Sequence, residues 1–178
     1  KWTRVTPGGH NEAPAIIKVD GKYHMLYQWG VKNRDGAYAS SDDLLHWTDH
    51  GLALIGKSSH ALTAGAKPNV SGDQIYSGSG VVVSGPVAEK ITGSPKSALI
   101  AFYTGTKVGT CIAWSNDNGK TWNNYDKNPV ANPTSGTDPR DPCVIRHEPT
   151  NKWVMAIFEE GTTFYGSQDL INWVKLSN

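Results

Sequence analysis

Two carboxylates in this sequence stand in the same local setting, and their types could support the cleavage of a sugar bond. Glu12 follows Asn11 and precedes a short β-branched run at 15–19, whereas Asp141 follows Arg140 and precedes an apolar run at 143–145. Cleavage of a glycosidic bond with retention needs a carboxylate nucleophile and a carboxyl acid/base about 5–5.5 Å apart, so carboxylates that enter one cavity are candidates for part of such a site. If both runs are inner strands of a repeated unit, we expect Glu12 and Asp141 to converge on one axis.

The elements that would position these carboxylates form a threefold internal repeat. A Ser, a turn that contains Asp, and a Trp recur at 41–47, 115–122 and 167–173, and each copy follows two strand-like runs. With the leading strands this gives about four strands per unit, and no stretch shows useful helical periodicity. Repeated four-stranded antiparallel units are typical of propeller blades. We therefore predict an all-β chain with blades at about 11–54, 74–125 and 140–178.

Three blades are fewer than a closed propeller needs. Propellers have roughly four to eight blades, and an open arc of three leaves apolar blade faces exposed. We therefore expect this chain of 178 residues to be a fragment, or to be completed by another chain. The remaining blades would come from the rest of the polypeptide or from a second chain.

Composition limits the partners. The net charge is +1 and only 19% of residues are charged, so we expect neither nucleic acid nor a membrane surface as partner. Seven Trp and seven Tyr suit carbohydrate instead. No metal-ligand spacing or phosphate loop is present, so we expect no cofactor and no metal. Cys111 and Cys143 both lie in apolar runs and are expected to be buried free thiols, with a disulfide between them as the alternative that the sequence leaves open.

Several ordered motifs resemble glycoside hydrolase family 32, the invertases, inulinases, levanases and related fructosyltransferases. The resemblance covers nearly the whole chain, in the order and at the spacings of that family. The residues that carry it are Asn11-Glu12, the segment 20–28 from Asp-Gly to Tyr-Gln, 41–47, Tyr-Ser-Gly-Ser at 76–79, Arg-Asp-Pro at 140–142, 147–155 and 164–173.

The resemblance implies a five-bladed propeller that cleaves β-fructofuranosides with retention through a covalent fructosyl intermediate. It implies that residues 1–178 are the N-terminal part of this catalytic propeller domain. It implies that Glu12 is the nucleophile and that Asp141 binds two sugar hydroxyls and stabilises the transition state. It also implies that the acid/base lies on a fourth blade, beyond residue 178, and that the enzyme is extracellular. The other substrate-binding residues that it implies are Asn11, Gln28, Ser77, Gly78 and Arg140.

The sequence departs from the family pattern in ways that keep other interpretations open. Glu12 stands where the family has Asp, and Gly36 stands where the family has a pocket Trp. A non-catalytic sugar-binding propeller descended from such enzymes is one alternative, and a family 43 arabinosidase or xylosidase is another. The turn at 115–122 also fits the Asp-box of sialidases, but one such turn is structural and the arginine cluster is missing.

Individual site residues also have simpler interpretations. Gln28 could only satisfy backbone groups, and Gly78 with Ser77 could form a β-bulge. Arg140 could merely pair with a neighbouring acid. His10 is expected at the rim, and the Glu159-Glu160 pair is expected to be a solvated turn rather than the missing acid.

Overall fold

The computed structural model describes residues 15–30, 34–131 and 139–177. It contains three four-stranded sheets whose strands follow one another in chain order and pair antiparallel, which confirms the predicted all-β architecture. The first sheet consists of β1 (Ala15–Val19), β2 (Lys22–Trp29), β3 (Asp35–Ser41) and β4 (Trp47–Leu54). The second consists of β5 (Ile75–Val83), β6 (Ala98–Gly105), β7 (Gly109–Ser115) and β8 (Asn123–Asn124). The third consists of β9 (Arg140–His147), β10 (Lys152–Phe158), β11 (Thr162–Ser167) and β12 (Val174–Ser177).

The leading strands β1, β5 and β9 pack side by side. A Cβ atom added to Gly80 of β5 would lie 2.4 Å from Cδ1 of Ile17 in β1, so a larger residue at position 80 would displace the Ile17 side chain. On the other side, the backbone N–H of Val144 in β9 donates to Oγ of Ser79 at 2.9 Å. Apolar side chains fill the spaces between the first and second sheets and between the second and third. The three sheets therefore form consecutive blades.

The turns that repeat in the sequence are built alike. In the first sheet, Oγ of Ser41 accepts the N–H of Leu44, and Oδ1 of Asp43 accepts the N–H groups of Leu45 and His46. The Trp that ends this turn donates its indole N–H to Leu44 O at 3.0 Å. The turn in the third sheet repeats these bonds, as expected for polar side chains that satisfy turn backbone.

The Asp-box turn of the second sheet is one residue longer, and this changes its tryptophan. Asp117 Oδ1 accepts the N–H of Thr121 at 2.9 Å, and Gly119 takes a positive φ of 81°. Trp122, however, is buried, and its indole nitrogen has no hydrogen-bond partner. No carbonyl therefore accepts the indole N–H of this tryptophan, in contrast to the other two turns.

A short helix interrupts the second sheet and was missed in the sequence. Helix α1 (Pro86–Thr92) lies between β5 and β6, with Pro at its first turn, where proline is well tolerated. Its buried residues Ala88 and Ile91 belong to the core shared with the third sheet. Seven residues are too few for a visible helical period. Single turns of 3₁₀ helix also occur at His60–Ala64 and Glu148–Thr150.

The far face of the third sheet is apolar and exposed. Ile145, Phe164 and Leu176 are exposed hydrophobic residues on this sheet. Cys143 is also exposed, so the expectation that both thiols are buried is wrong for this residue. Because Val144 faces the second sheet, its neighbour Cys143 must face the opposite side. Cys111 is buried, and burial raises the pKa of its thiol to about 12.

Among the described residues, no helix has the length and apolar character needed to cross a membrane. Within the same part of the chain, no cluster of His, Cys, Asp or Glu has the composition of a metal site.

Candidate active site

A chain of hydrogen bonds joins the three sheets at the end where β5 and β9 begin. Nε2 of Gln28, near the end of β2, donates to Oγ of Ser77 in β5 at 3.4 Å. The carbonyl of Ser77 accepts the hydroxyl of Thr104 in β6 at 3.2 Å. The same hydroxyl accepts the backbone N–H of Asp141 in β9 at 3.0 Å. Each sheet thus contributes a side chain or a backbone group to one continuous polar chain.

Asp141 is held in an uncommon backbone conformation. Its φ is +61°, a left-handed region that costs roughly 1–2 kcal/mol for residues other than glycine. The pairing of β9 with β10 shifts between Cys143–Ala156 and Arg140–Phe158, so Asp141 and Pro142 face a single residue, Ile157. Bulges of this kind re-aim side chains and are common beside functional sites. The Asp141 carboxylate is about half exposed and is free to meet a ligand.

Arg140 lies next to this carboxylate but bonds it weakly. Its Nε is 3.8 Å from Oδ2 of Asp141, beyond ordinary hydrogen-bond distance. The guanidinium instead packs over the ring of Phe158, 4.1 Å from the ring centre. The interpretation that Arg140 pairs with a neighbouring acid stays a prediction.

Ser77 and Gly78 form the bulge that the sequence left open. Tyr76 pairs with Thr104 and Gly78 pairs with Tyr103, so Ser77 is the extra residue. A Cβ on Gly78 would lie 1.9 Å from the carbonyl oxygen of Phe102, and no other residue type fits. The bulge also serves the site, because it brings Oγ of Ser77 to Gln28.

Gln28 is almost fully buried, with 1% of its surface exposed. It pairs with Gly36 across β2 and β3, the position where the related family has a pocket Trp. A Cβ on Gly36 would meet Cβ of Leu54 at 2.9 Å. Leu54 therefore occupies the space that a larger residue at position 36 would need.

The remaining predicted residues, Asn11 and Glu12, lie outside the described residues, as does His10. The structure thus brings together five of the seven predicted site residues. Thr104 was missed, because nothing in a strand of apolar residues and a final Thr indicates a partner 37 residues away.

The prediction of a solvated turn at 159–160 is confirmed for Glu160 and wrong for Glu159. Glu160 is exposed, with φ +55°, but the Glu159 side chain is 3% exposed. The hydroxyl of Tyr165 donates to Oε2 of Glu159 at 3.0 Å, and Nζ of Lys175 lies 3.7 Å away. Burial, followed by this hydrogen bond, raises the pKa of Tyr165 to about 12. Glu159 joins β10, β11 and β12.

The blades pack along their leading strands and carry a carboxylate, a guanidinium and an amide at one end. This arrangement fits part of a glycoside hydrolase propeller. The family model described as glycosyl hydrolases family 32 N-terminal domain matches residues 6–178. The chain therefore belongs to glycosyl hydrolase family 32, as the resemblance indicated. This membership excludes the family 43 interpretation.

Comparisons with individual proteins agree with this family assignment. The chain is 36% identical over 175 residues to a levanbiose-producing levanase of Bacillus subtilis, covering 92% of this chain and 31% of the levanase. It is 35% identical to an extracellular exo-inulinase of Meyerozyma guilliermondii, covering 88% of this chain and 30% of the inulinase. The structure of a Schwanniomyces occidentalis fructofuranosidase complexed with fructose matches with a TM-score of 0.74 at 25% identity, covering 96% of this chain and 34% of that one. The chain spans less than a third of the length of both sequence relatives.

Proposed function

We propose that the polypeptide carrying this chain hydrolyses β-fructofuranosidic bonds of sucrose or fructans with retention of configuration. The observation that carries the proposal is the hydrogen-bond chain from Gln28 to Asp141. It spans three blades and fixes a half-exposed carboxylate at the end where their leading strands begin. The relatives named above are a levanase, an inulinase and a fructofuranosidase.

In the proposed mechanism, the Glu12 carboxylate attacks the anomeric carbon as the bond from that carbon to the leaving oxygen breaks, which forms the fructosyl intermediate. Water then displaces Glu12 and releases fructose. Glu12 precedes β1 by three residues, and β1 begins at the same end of its sheet as Gln28, because Ala15 pairs with Leu26. Glutamate can act as a nucleophile, although its extra methylene changes the reach by roughly 1 Å, a displacement that can cost on the order of 10²-fold in rate.

Asp141 would bind two hydroxyls of the fructosyl ring, and these hydrogen bonds would strengthen in the transition state. Arg140 would supply positive charge beside that carboxylate. Asn11, Gln28, Ser77 and Gly78 would line the ring pocket, Gly78 by keeping its wall free of a side chain. The proton donor for the leaving oxygen would come from the rest of the polypeptide, which would also supply the blades that cover the far face of the third sheet.

Secretion is part of the proposal, supported by the extracellular inulinase among the relatives. The rival candidate is a propeller that binds fructans without cleaving them. Glutamate at position 12 and glycine at position 36 favour it, because both replace residues of the family's site.

One experiment tests these alternatives. The intact polypeptide is assayed for fructose release from sucrose, levan and inulin, and the anomer formed first is identified by NMR. We expect the β-anomer, and we expect Glu12→Gln or Asp141→Asn to lower kcat by on the order of 10²-fold or more. Asp126→Asn, an exposed loop carboxylate, is the matched control. Unchanged turnover in either site variant would remove the assignment, and calorimetric fructan binding without any hydrolysis would establish the rival.

A further inference from the structure

A groove of about 760 Å³ lies between the first sheet and the 115–122 turn of the second sheet, away from the candidate active site. Tyr38, Ser40 and His50 form one wall, and Asn118, Lys120 and Trp122 form the other. Ser40 pairs with His24, near the hairpin at 20–21, whereas Gln28 pairs with Gly36 at the opposite end of the same strands. The groove is therefore distinct from the site around Asp141.

The first wall is shaped by an irregular strand. Pairing between β3 and β4 shifts between Tyr38 and Ala39, which leaves His50 as an extra residue. The bulge turns the His50 ring onto the Tyr38 ring, with centroids 4.8 Å apart and planes 19° apart. Nε2 of His50 also bonds Oγ of Ser40 at 2.9 Å. Such bulges are over-represented beside binding sites. His50 is exposed, so the other face of its ring is open to a ligand.

The second wall is held against the first by close contacts. A Cβ on Gly119 would lie 2.5 Å from Cζ of Tyr38, so the glycine lets the turn rest on the ring. The hydroxyl of Tyr38 donates to the carbonyl of Asn118 at 3.1 Å. The side chain of Lys120 is exposed next to this contact. Both walls are thus preformed, as is usual for ligand sites.

The corresponding space between the second and third sheets is filled. There, helix α1 packs its buried Ala88 and Ile91 into the shared core, and Nζ of Lys90 lies 3.2 Å from Oδ2 of Asp169 in the turn of the third sheet. In the first sheet, the place of this helix is taken by the two-residue turn at 20–21. The groove is open because the first blade has no insertion there.

The chemistry of the groove suits a neutral, polyhydroxylated chain. It combines ring surface from His50 with hydroxyl, amide and carbonyl groups and with the exposed ammonium of Lys120, which can donate hydrogen bonds to sugar hydroxyls. The other lysine of the lining, Lys22, is paired with Asp42 at 3.5 Å. Its volume lies within the roughly 300–1,000 Å³ typical of ligand sites. Building on the proposed function, we propose that this groove binds a stretch of fructan polymer remote from the bond that is cleaved.

The test compares long and short substrates in the intact polypeptide. The variant His50→Ala/Lys120→Ala removes one ring and one hydrogen-bonding cation from the groove. We expect its KM for levan or inulin to rise about three- to ten-fold, the equivalent of one or two hydrogen bonds, with kcat and KM for sucrose unchanged. His46→Ala, an exposed histidine bonded to Asp43 in the neighbouring turn, is the matched control and should change neither substrate.

A second measurement does not depend on hydrolysis. Native gels cast with levan or inulin report polymer binding directly, and Asp141→Asn prevents digestion of the polymer during the run. If the groove variant is retarded less and His46→Ala is retarded as before, polymer binding by the groove is supported. This conclusion holds even if the polypeptide does not hydrolyse fructans. Equal retardation and equal KM for both polymers in the groove variant would overturn it, with circular dichroism confirming the fold.

Discussion

The hydroxyl of Thr104 links the second blade to Asp141, and its removal is the sharpest test of how the site is positioned. Thr104→Val keeps the shape of the side chain but loses the acceptor for Asp141 N–H, at 3.0 Å, and the donor to Ser77 O, at 3.2 Å. Two such bonds contribute about 1–3 kcal/mol in total. That sum is comparable to the roughly 1–2 kcal/mol cost of the left-handed backbone at Asp141.

Without this tether, Asp141 is therefore expected to relax away from its position. A shift of about 1 Å can lower the rate by on the order of 10²-fold. We expect kcat/KM of the intact polypeptide for sucrose to fall about 10- to 100-fold, and urea unfolding to show a loss of about 1–3 kcal/mol.

Two matched variants make the result interpretable. Thr104→Ser keeps the hydroxyl and should recover most of the activity. Thr163→Val makes the same chemical change at a residue with 1% exposure in the third sheet, outside the polar chain, and should leave kcat/KM unchanged. If Thr104→Val retains wild-type kcat/KM, the polar chain does not position Asp141 and the reasoning is refuted.

Two further predictions concern stability and thiol chemistry. Burial, followed by the charges of Lys22 and His50, lowers the pKa of His24 in the folded protein below its usual 6.5. As the pH falls, His24 therefore becomes protonated in the unfolded chain before it does so in the folded protein, and the free energy of unfolding should decrease below about pH 6.5. Urea midpoints at pH 7.5 and pH 5 should differ less in His24→Gln, and an identical difference would contradict this. Because the Cys111 thiol is buried with a pKa of about 12, it should react with iodoacetamide at pH 8 only after the protein unfolds. Mass spectrometry of peptides measures this reaction, and modification of Cys111 in the folded protein would contradict the prediction.

Local signals made most of the fold predictable. Asp20 and Gly21 both have positive φ, which is what a two-residue hairpin turn requires, and the three Ser-Asp-Trp turns satisfy backbone groups within a few residues. Helix α1 was missed because its seven residues are recognisable only by what they pack against. The exposure of Cys143 depends on whether another sheet covers it, which its own strand does not encode.

The candidate site was predictable in its residue types but not in its connections. Arg140, Asp141, Ser77, Gly78 and Gln28 could be predicted as site residues because each belongs to a short motif. Thr104 and the burial of Glu159 were not, since both depend on contacts between strands. A carboxylate pair in a hairpin looks solvated until the positions of Tyr165 and Lys175 are known.

The polar chain has a consequence for the order of folding. Its links join residues that are 49 and 37 positions apart and belong to different blades. Each hairpin can form from neighbours alone, but such non-local contacts come at a loop-closure cost. Catalytic competence should therefore return after the far-ultraviolet signal during refolding, as a late event that reports docking between blades rather than strand formation.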